Sequence, residues 1–385
     1  MKADGLPLPL IAQALLDAGY DSYYKTHDGS QYYFDLTTNS YKELPTNPNC
    51  IYIATEKSLR NAVVKENASA SLVDLGDGVL CAEFHSKMNT IDPLLLEILR
   101  AGVDWINEGK YEGMVVGNQG EHFSAGANLF LILAEIKQGN WKGVEMAVRD
   151  FQRTNMAMRF CRGPVVAAPH HYTFGGGIEM CQHAARTVIA GETYGGLVEA
   201  GVGVIPAGGG TKEMLRRALA YVPPNVPDGD PFPYVRRAFE TIGMAKVSTS
   251  GPELVDLGYF TDKDLVCVNF DHQIKKAKDV CIALCLLGYT PPTPAKLVAL
   301  GESVTAALRI GVHQLRVGGY ATEHDAVIAE HLANVLTGWG RPRGTPMTEQ
   351  DVLDLECEAF CSLCGTEKTQ ARMEYMLKTG RPLRN

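Results

Sequence analysis

Short apolar segments and helically patterned segments alternate between residues 71 and 196. That alternation limits the chain to folds in which helices cross between strands of one mainly parallel sheet. SLVDLGDGVLCAEFH reads as two strands meeting at Gly76-Asp77-Gly78, and DPLLLEILRAGVDWINEG, apolar at three-to-four spacing, reads as a helix. GMVVGNQG is a short buried strand, a helix follows over 128–138, GPVVAAPHH is another strand, IEMCQHAAR a helix, and TVIAGETYGG is strand-like again. After DLVCVNF the strands are expected to stop. DHQIKKAKDVCIALCLLGY, LVALGESVTAALRIGVHQL, EHDAVIAEHLANVLTG and MTEQDVLDLECEAFCSLCG all read as helices, broken at TPPTP and GRPRGTP. The expectation is an α/β core followed by a helical C-terminal region.

The chain has 385 residues, room for two domains or for one large domain with an appendage. With 45% hydrophobic and 21% charged residues it can bury a sizeable core. A net charge of −8 with dispersed Lys and Arg argues against a nucleic-acid binder, which needs a basic face to neutralise phosphates. No apolar run reaches the roughly 18 residues of a membrane span. The opening MKADGLPLPLIAQALLDAGY lacks the basic start, apolar block and cleavage site of a signal peptide. The ten Cys show no repeating spacing, and the CxxC of Cys361 and Cys364 has no second pair to complete a zinc site. Reduced thiols in a cytoplasmic protein, and no metal, are the expectation. Residues 1–60 hold too little apolar material for a core of their own. A short helix over LIAQALLDAG leads there into an aromatic stretch whose DGS turn reads as a small hairpin.

Two stretches, FSAGANLFLILAEI and HYTFGGGIEMCQHAAR, set small residues directly against the start of a helix. A helix start leaves its first N–H groups without partners, and the macrodipole makes that end partly positive. Glycine lets the backbone approach a ligand closely and take positive φ. Two such ends facing each other would hold an oxygen that gains negative charge, such as that of a thioester becoming an enolate. Tight helix–strand packing explains either stretch taken alone. Neither is a phosphate loop: G-x-x-x-x-G-K-[ST] is absent, as is a G-x-G-x-x-G followed by a placed acid, so no nicotinamide site is expected in this chain.

Two acids add to the pattern. Glu179 lies two residues after the glycine triplet 175–177, where an acid also suits the helix dipole. Glu199 stands in GGLVEAGVGVIPAGGGT among small and apolar residues. A carboxyl in such surroundings has a raised pKa and suits proton transfer near neutral pH; the alternative for Glu199 is a solvated loop acid. AGGGTKEM, a third glycine-rich turn, is expected to support the loop of Glu199. His170 and His171 have no ligand set around them and read as strand-end packing residues. Ser124 lacks the G-x-S-x-G setting of a hydrolase nucleophile.

In order and spacing, FSAGAN, GPVVAAPHHYTFGGGIEM and GGLVEAGVGVIPAGGGTKEM resemble the crotonase (enoyl-CoA hydratase) superfamily over roughly residues 70–270. The tail KTQARMEYMLKTGRPLRN and the opening aromatic segment resemble the C-terminal part of bifunctional 3-hydroxyacyl-CoA dehydrogenase/enoyl-CoA hydratase proteins. The resemblance implies an α/β fold, a crotonase-like spiral of strand-strand-helix units with an all-helical C-terminal region. It divides the chain into 1–65, a remnant of the dehydrogenase's C-terminal segment, 66–285, the crotonase core, and 286–385, the helical region. It places the two oxyanion-hole N–H groups on Ala127 and Gly176 and the catalytic glutamates on Glu179 and Glu199. The coenzyme A moiety falls near Lys87, Ala125, Asn128 and Gly175, with the adenine at the backbone of Ala125. Lys87 faces either the CoA phosphates or solvent. Many relatives carry Asp where this chain has Asn128, a side chain that shapes the loop.

The implied reaction is hydration of 2-enoyl-CoA to 3-hydroxyacyl-CoA in fatty-acid β-oxidation. Coenzyme A enters as part of the substrate, no cofactor is bound by this chain, and the NAD site belongs to the missing dehydrogenase portion. Trimers, or dimers of trimers, through the C-terminal helices are implied as well. The alternatives are double-bond isomerisation or acyl-CoA hydrolysis on the same fold, and a non-catalytic half that docks a dehydrogenase or thiolase partner.

Overall fold

The computed structural model describes residues 7–27, 30–45, 47–222 and 229–385. Seven strands form the central sheet, in the spatial order Leu265–Cys267, Arg186–Ala190, Val165–Ala167, Gly113–Val116, Val79–Phe84, Ala70–Asp74 and Val63–Glu66. The first five run parallel and the last two add on antiparallel. The middle strands are apolar throughout because helices cover both faces. The helix Pro93–Asn107 packs on one face. On the other lies Gln273–Leu286, whose Ile274, Ala277 and Cys281 share a buried cluster with Val115, Val166 and Val188. The turn expected at 76–78 joins two of these strands, with φ of 78°, 57° and 74° at Gly76, Asp77 and Gly78.

A second layer gives the fold its function. His171–Phe174 pairs in parallel with Thr193–Gly196, Ser124 bridges Thr173, and Ile91 bridges Ala127. Four extended segments, around 91, 124–127, 171–174 and 193–196, therefore lie side by side. Within a few residues of each, a helix begins: Pro93–Asn107, Leu129–Lys137, Gly176–Gln182 and the short 3₁₀ helix Glu199–Val202. The repeating unit is one strand in the central sheet, one segment in the second layer, then a helix. This is the expected spiral, and it gathers several helix N-termini along one edge.

Other elements depart from the sequence reading. The aromatic N-terminal stretch forms a three-stranded meander, Tyr24–His27, Ser30–Asp35 and Ser40–Glu43, rather than a hairpin. A second turn, at 36–39 with φ +48° at Asn39, adds the third strand. The DGS turn lies largely outside the described residues. The meander is tied to the core by the helix Ile53–Arg60: Ile53 is fully buried, and its N–H donates to Gln119 Oε1 at 2.8 Å. Strands do not stop at 267, since Leu297–Val298 pairs with Pro346–Met347 and clips the segment before the helix Glu302–Val317 to the one before Glu349–Cys364. The helices Trp141–Arg159, Gly210–Ala220, Phe232–Gly243 and Gly251–Asp256 come in addition to those expected. The boundary at 65/66 falls inside the edge strand Val63–Glu66, and the one at 285/286 in the last turn of Gln273–Leu286. The C-terminal helices Glu302–Val317, Glu323–Thr337, Glu349–Cys364 and Glu367–Thr379 share one buried apolar cluster with the strands and the 93–107 helix. All ten Cys are free thiols. Among the described residues no helix is long and apolar enough to cross a membrane.

Candidate active site

The strand His171–Phe174 turns into its helix through Gly175, whose φ of +51° and ψ of −118° suit a residue without a side chain. The N–H of Gly175 donates to Gly196 O at 2.9 Å, so it is spent on holding the turn. Gly176 opens the helix, and its N–H has no acceptor within that helix. The neighbouring segment is built in the same way. Ser124 Oγ donates to Asn89 O at 2.7 Å and accepts the N–H of Gly126 at 3.1 Å, a structural use of this hydroxyl. Gly126 has φ +89°, and a Cβ there would stand 2.9 Å from Phe174 O, so the two segments touch backbone to backbone. Asn128 caps the helix Leu129–Lys137 by accepting from Leu131 N–H.

Register then decides which amides meet. Ser124 pairs with Thr173, and three residues further along each parallel segment lie Ala127 and Gly176. Ile91 exchanges hydrogen bonds with Gly126 O and Asn128 N–H, which turns the Ala127 N–H to the other side. Among the described residues neither the Ala127 nor the Gly176 N–H is donated to a protein acceptor. Both residues line one cavity of about 720 Å³.

The two acids line the same cavity. Glu179 is buried in the first turn of its helix, and its Oε1 accepts N–H groups from Gly208 and Gly210, both at 2.8 Å. Burial pushes its carboxyl up to about 7, while these two hydrogen bonds favour the anion and hold it back. Glu199 begins the 3₁₀ helix, half-buried, with its Oε2 shielded from solvent and without a partner among the described residues. Burial raises its carboxyl well above the ordinary range, and the neighbouring Glu179 adds to this. A solvated loop acid is excluded at this position. The third glycine-rich turn serves differently from expectation: its N–H groups hold Glu179, not the loop of Glu199.

Asn128 lines the cavity, whereas Lys87, Ala125 and Gly175 do not. Lys87 is exposed on a short 3₁₀ helix, and the Ala125 N–H is donated to Met88 O at 3.1 Å. A Cβ on Gly175 would stand 2.8 Å from Glu199 Oε1, so this residue shapes the site from behind. The cavity's apolar wall includes Ile132, Val148, Phe151, Ile205 and Phe360, none of which the sequence reading singled out. Phe151 comes from the unanticipated 141–159 helix and Phe360 from the helical region; long-range packing alone brings them in.

The remaining motifs are structural. His170 is buried with Nε2 3.0 Å from Gly120 O, and burial pushes it down to about 4. His171 Nδ1 lies 2.7 Å from His122 Nδ1, the rings stacked at 6°. Both act as packing residues, as expected. Among the described residues no group of three or more His, Cys, Asp or Glu has metal-binding geometry.

A spiral α/β domain whose second layer opens two amides and two carboxyls onto one cavity is the arrangement that the resemblance to crotonases implied. Comparison with known proteins agrees. A family model described as enoyl-CoA hydratase/isomerase matches residues 85–221. A probable 3-hydroxyacyl-CoA dehydrogenase of Bacillus subtilis (strain 168) is 40% identical over 385 residues, covering 99% of this chain and 47% of that protein. A putative fatty acid oxidation complex trifunctional enzyme of Rickettsia felis is 24% identical over 318 residues, covering 82% of this chain and 40% of that protein. The chain thus spans less than half the length of these two relatives. Among solved structures, a carnitinyl-CoA dehydratase of Mycobacterium thermoresistibile matches with a TM-score of 0.58 at 16% identity, covering 82% of this chain and 91% of that one. An enoyl-CoA hydratase of Bacillus halodurans matches with a TM-score of 0.52 at 16% identity, covering 80% and 99%. At these identities the structural likeness is one of fold. Residues 85–221 thus carry an enoyl-CoA hydratase/isomerase-like domain, and the fold around them is crotonase-like.

Proposed function

We propose that this chain is an enoyl-CoA hydratase, adding water to a 2-enoyl-CoA to give the 3-hydroxyacyl-CoA. The observation that carries the reading is the meeting of two carboxyls of raised pKa with two undonated amides in one cavity. In this reading the N–H groups of Ala127 and Gly176 hold the thioester oxygen. Electron density drawn onto that oxygen leaves C3 of the alkene electrophilic. A water between the carboxyls gives a proton to Glu179 as its oxygen bonds to C3. Glu199, kept neutral by burial, gives its proton to C2. The two acids titrate as a pair, so one proton passes between them and solvent to restore the starting state. Two acids suit hydration, in which one proton is taken and another given at different atoms. Coenzyme A enters as part of the substrate, with its adenine at the backbone of Ala125 and its phosphates toward the exposed Lys87.

The assay is the loss of the conjugated enoyl-thioester absorbance when the chain meets crotonyl-CoA. Glu199→Gln is expected to abolish turnover and to leave CoA-ester binding in place; unchanged turnover ends the reading. We further place the hydratase in fatty-acid β-oxidation, because its product is the substrate class named for the Bacillus subtilis relative, 3-hydroxyacyl-CoA. The dehydrogenase portion then becomes its covalent or docked partner. Self-association as a trimer or hexamer and a cytoplasmic setting, in keeping with ten free thiols, complete the proposal.

A further inference from the structure

We propose that Glu356, in the C-terminal helical region, is a positioning residue for Glu179, acting through the turn Gly208–Lys212 that both carboxyls grip. The inference rests on the hydratase reading above. Glu356 is fully buried on the helix Glu349–Cys364 and does not line the cavity. Its Oε2 accepts the N–H of Gly209 at 2.9 Å and its Oε1 that of Lys212 at 2.5 Å. Glu179 accepts the N–H groups of Gly208 and Gly210. The two carboxyls thus take different amides of one turn, and neither can lose its hold without freeing the turn toward the other.

The turn is the N-terminus of the helix Gly210–Ala220, whose N-cap, Gly209, has φ +104° and no side chain to cap with. Two acids from elsewhere in the chain do that work instead, where the helix dipole favours negative charge. The carbonyls of the same turn are also held: Gln152 Nε2 donates to Ala207 O and Asn155 Nδ2 to Gly208 O, both at 2.8 Å. With its carbonyls gripped by one helix and its amides by Glu356, the turn presents two N–H groups to Glu179 at fixed spacing. Around Glu356 stand Glu179, Glu199 and Lys212, and His183, just past the helix Gly176–Gln182, lies against Gly209 of the turn. The Lys212 ammonium is engaged by His183, Glu213 and Glu349. Burial and the charge of Glu179 push Glu356 well above the ordinary carboxylate range, while the N–H groups of Lys212 and Gly209 and the Lys212 ammonium hold it back.

Glu356→Gln keeps the shape but sets an amide N–H₂ against a backbone N–H. The turn must shift, Glu179 loses alignment with Gly208 and Gly210, and its anion is less favoured. The acid limb of kcat/KM for crotonyl-CoA is expected to move up by about one pH unit, on the order of a tenfold loss of rate below the limb. KM should stay nearly unchanged, since no atom of Glu356 reaches the cavity. Glu356→Leu, which removes both acceptors, should move the limb further; if it does not fold, the Gln variant alone decides. The Glu179 carboxyl is followed in parallel by ¹³C NMR titration, its signal assigned with Glu179→Gln. A titration and an acid limb that stay at the wild-type pH, whether or not the melting temperature falls, overturn the inference. A wild-type chain that does not hydrate crotonyl-CoA defeats the reaction assignment instead, while the NMR titration still decides the role of Glu356.

Discussion

A methyl group at position 175 would stand 2.8 Å from Glu199 Oε1, on a backbone whose φ is +51°. Gly175→Ala therefore combines backbone strain of roughly 1–3 kcal/mol with displacement of one acid. Misplacing a reacting group by about 1 Å costs on the order of 10² in rate, so hydration should fall by about that factor while the melting temperature drops only modestly. Glu179 allows a prediction of opposite sign for stability. Its carboxyl titrates near 7 in the fold, above its unfolded value of 4.5. The stabilisation from binding that proton is complete below 4.5 and is lost as pH rises through about 7. Glu179→Gln carries no such loss, so it should unfold at higher denaturant than wild type above pH 7 by up to about 3 kcal/mol, and at nearly the same denaturant below pH 4.5. A wild-type-minus-variant difference that does not change across this range contradicts the assignment. These residues were legible in sequence because their chemistry is local: glycine where the backbone must approach, and an acid among small apolar neighbours. Glu356 was not, because a glutamate in an amphipathic helix looks like any solvated acid until the fold buries it against a turn far away in the chain.

At the level of elements, apolar runs and three-to-four spacing recovered the central strands other than the edge strand Val63–Glu66, together with several helices whose buried face is apolar. The 141–159 helix escaped for a physical reason. Its buried face carries Gln152, Thr154, Asn155 and Arg159 beside Val144, Val148 and Phe151, so polarity does not mark which side faces inward. Of these, Gln152 and Asn155 hold the glycine-rich turn and Arg159 joins the buried ion pairs. The turn itself was visible as AGGGT, but which acid it serves depends on how two helices pack. The helix bearing Glu356 begins with a capping box, Thr348 with Asp351. Thr348→Ala should cost about 1 kcal/mol in a denaturant melt and leave the pH profile of hydration in place, because the cap lies two turns from Glu356. A shifted acid limb in this variant would mean that the helix as a whole, rather than the Glu356 carboxyl, tunes the site.

The whole molecule is bound across its expected divisions by charges that only the complete fold can accommodate. Lys212, fully buried, has its ammonium 2.7 Å from Glu213 and 3.0 Å from Glu349, and Arg159 approaches the same two acids at 3.4 Å. These residues come from the core helices 141–159 and 210–220 and from the helical region, and Glu349 also accepts the N–H of Ala295 at 2.8 Å. No run of sequence announces such a cluster, since it joins the adjacent Lys212 and Glu213 to Arg159 and Glu349, which lie far from them in the chain, and each is a residue type common on surfaces. Removing one partner of a buried ion pair strands the other, at a cost of about 3–5 kcal/mol. Glu349→Leu should therefore lower stability by about that amount. If the core and the helical region form one cooperative unit, as their shared apolar cluster requires, fluorescence, circular dichroism and loss of crotonyl-CoA hydration should follow a single transition that shifts together in the variant. The helical region melting first, with the core still folded and binding CoA esters, would show instead that the two are separate units joined by contacts of little energetic weight.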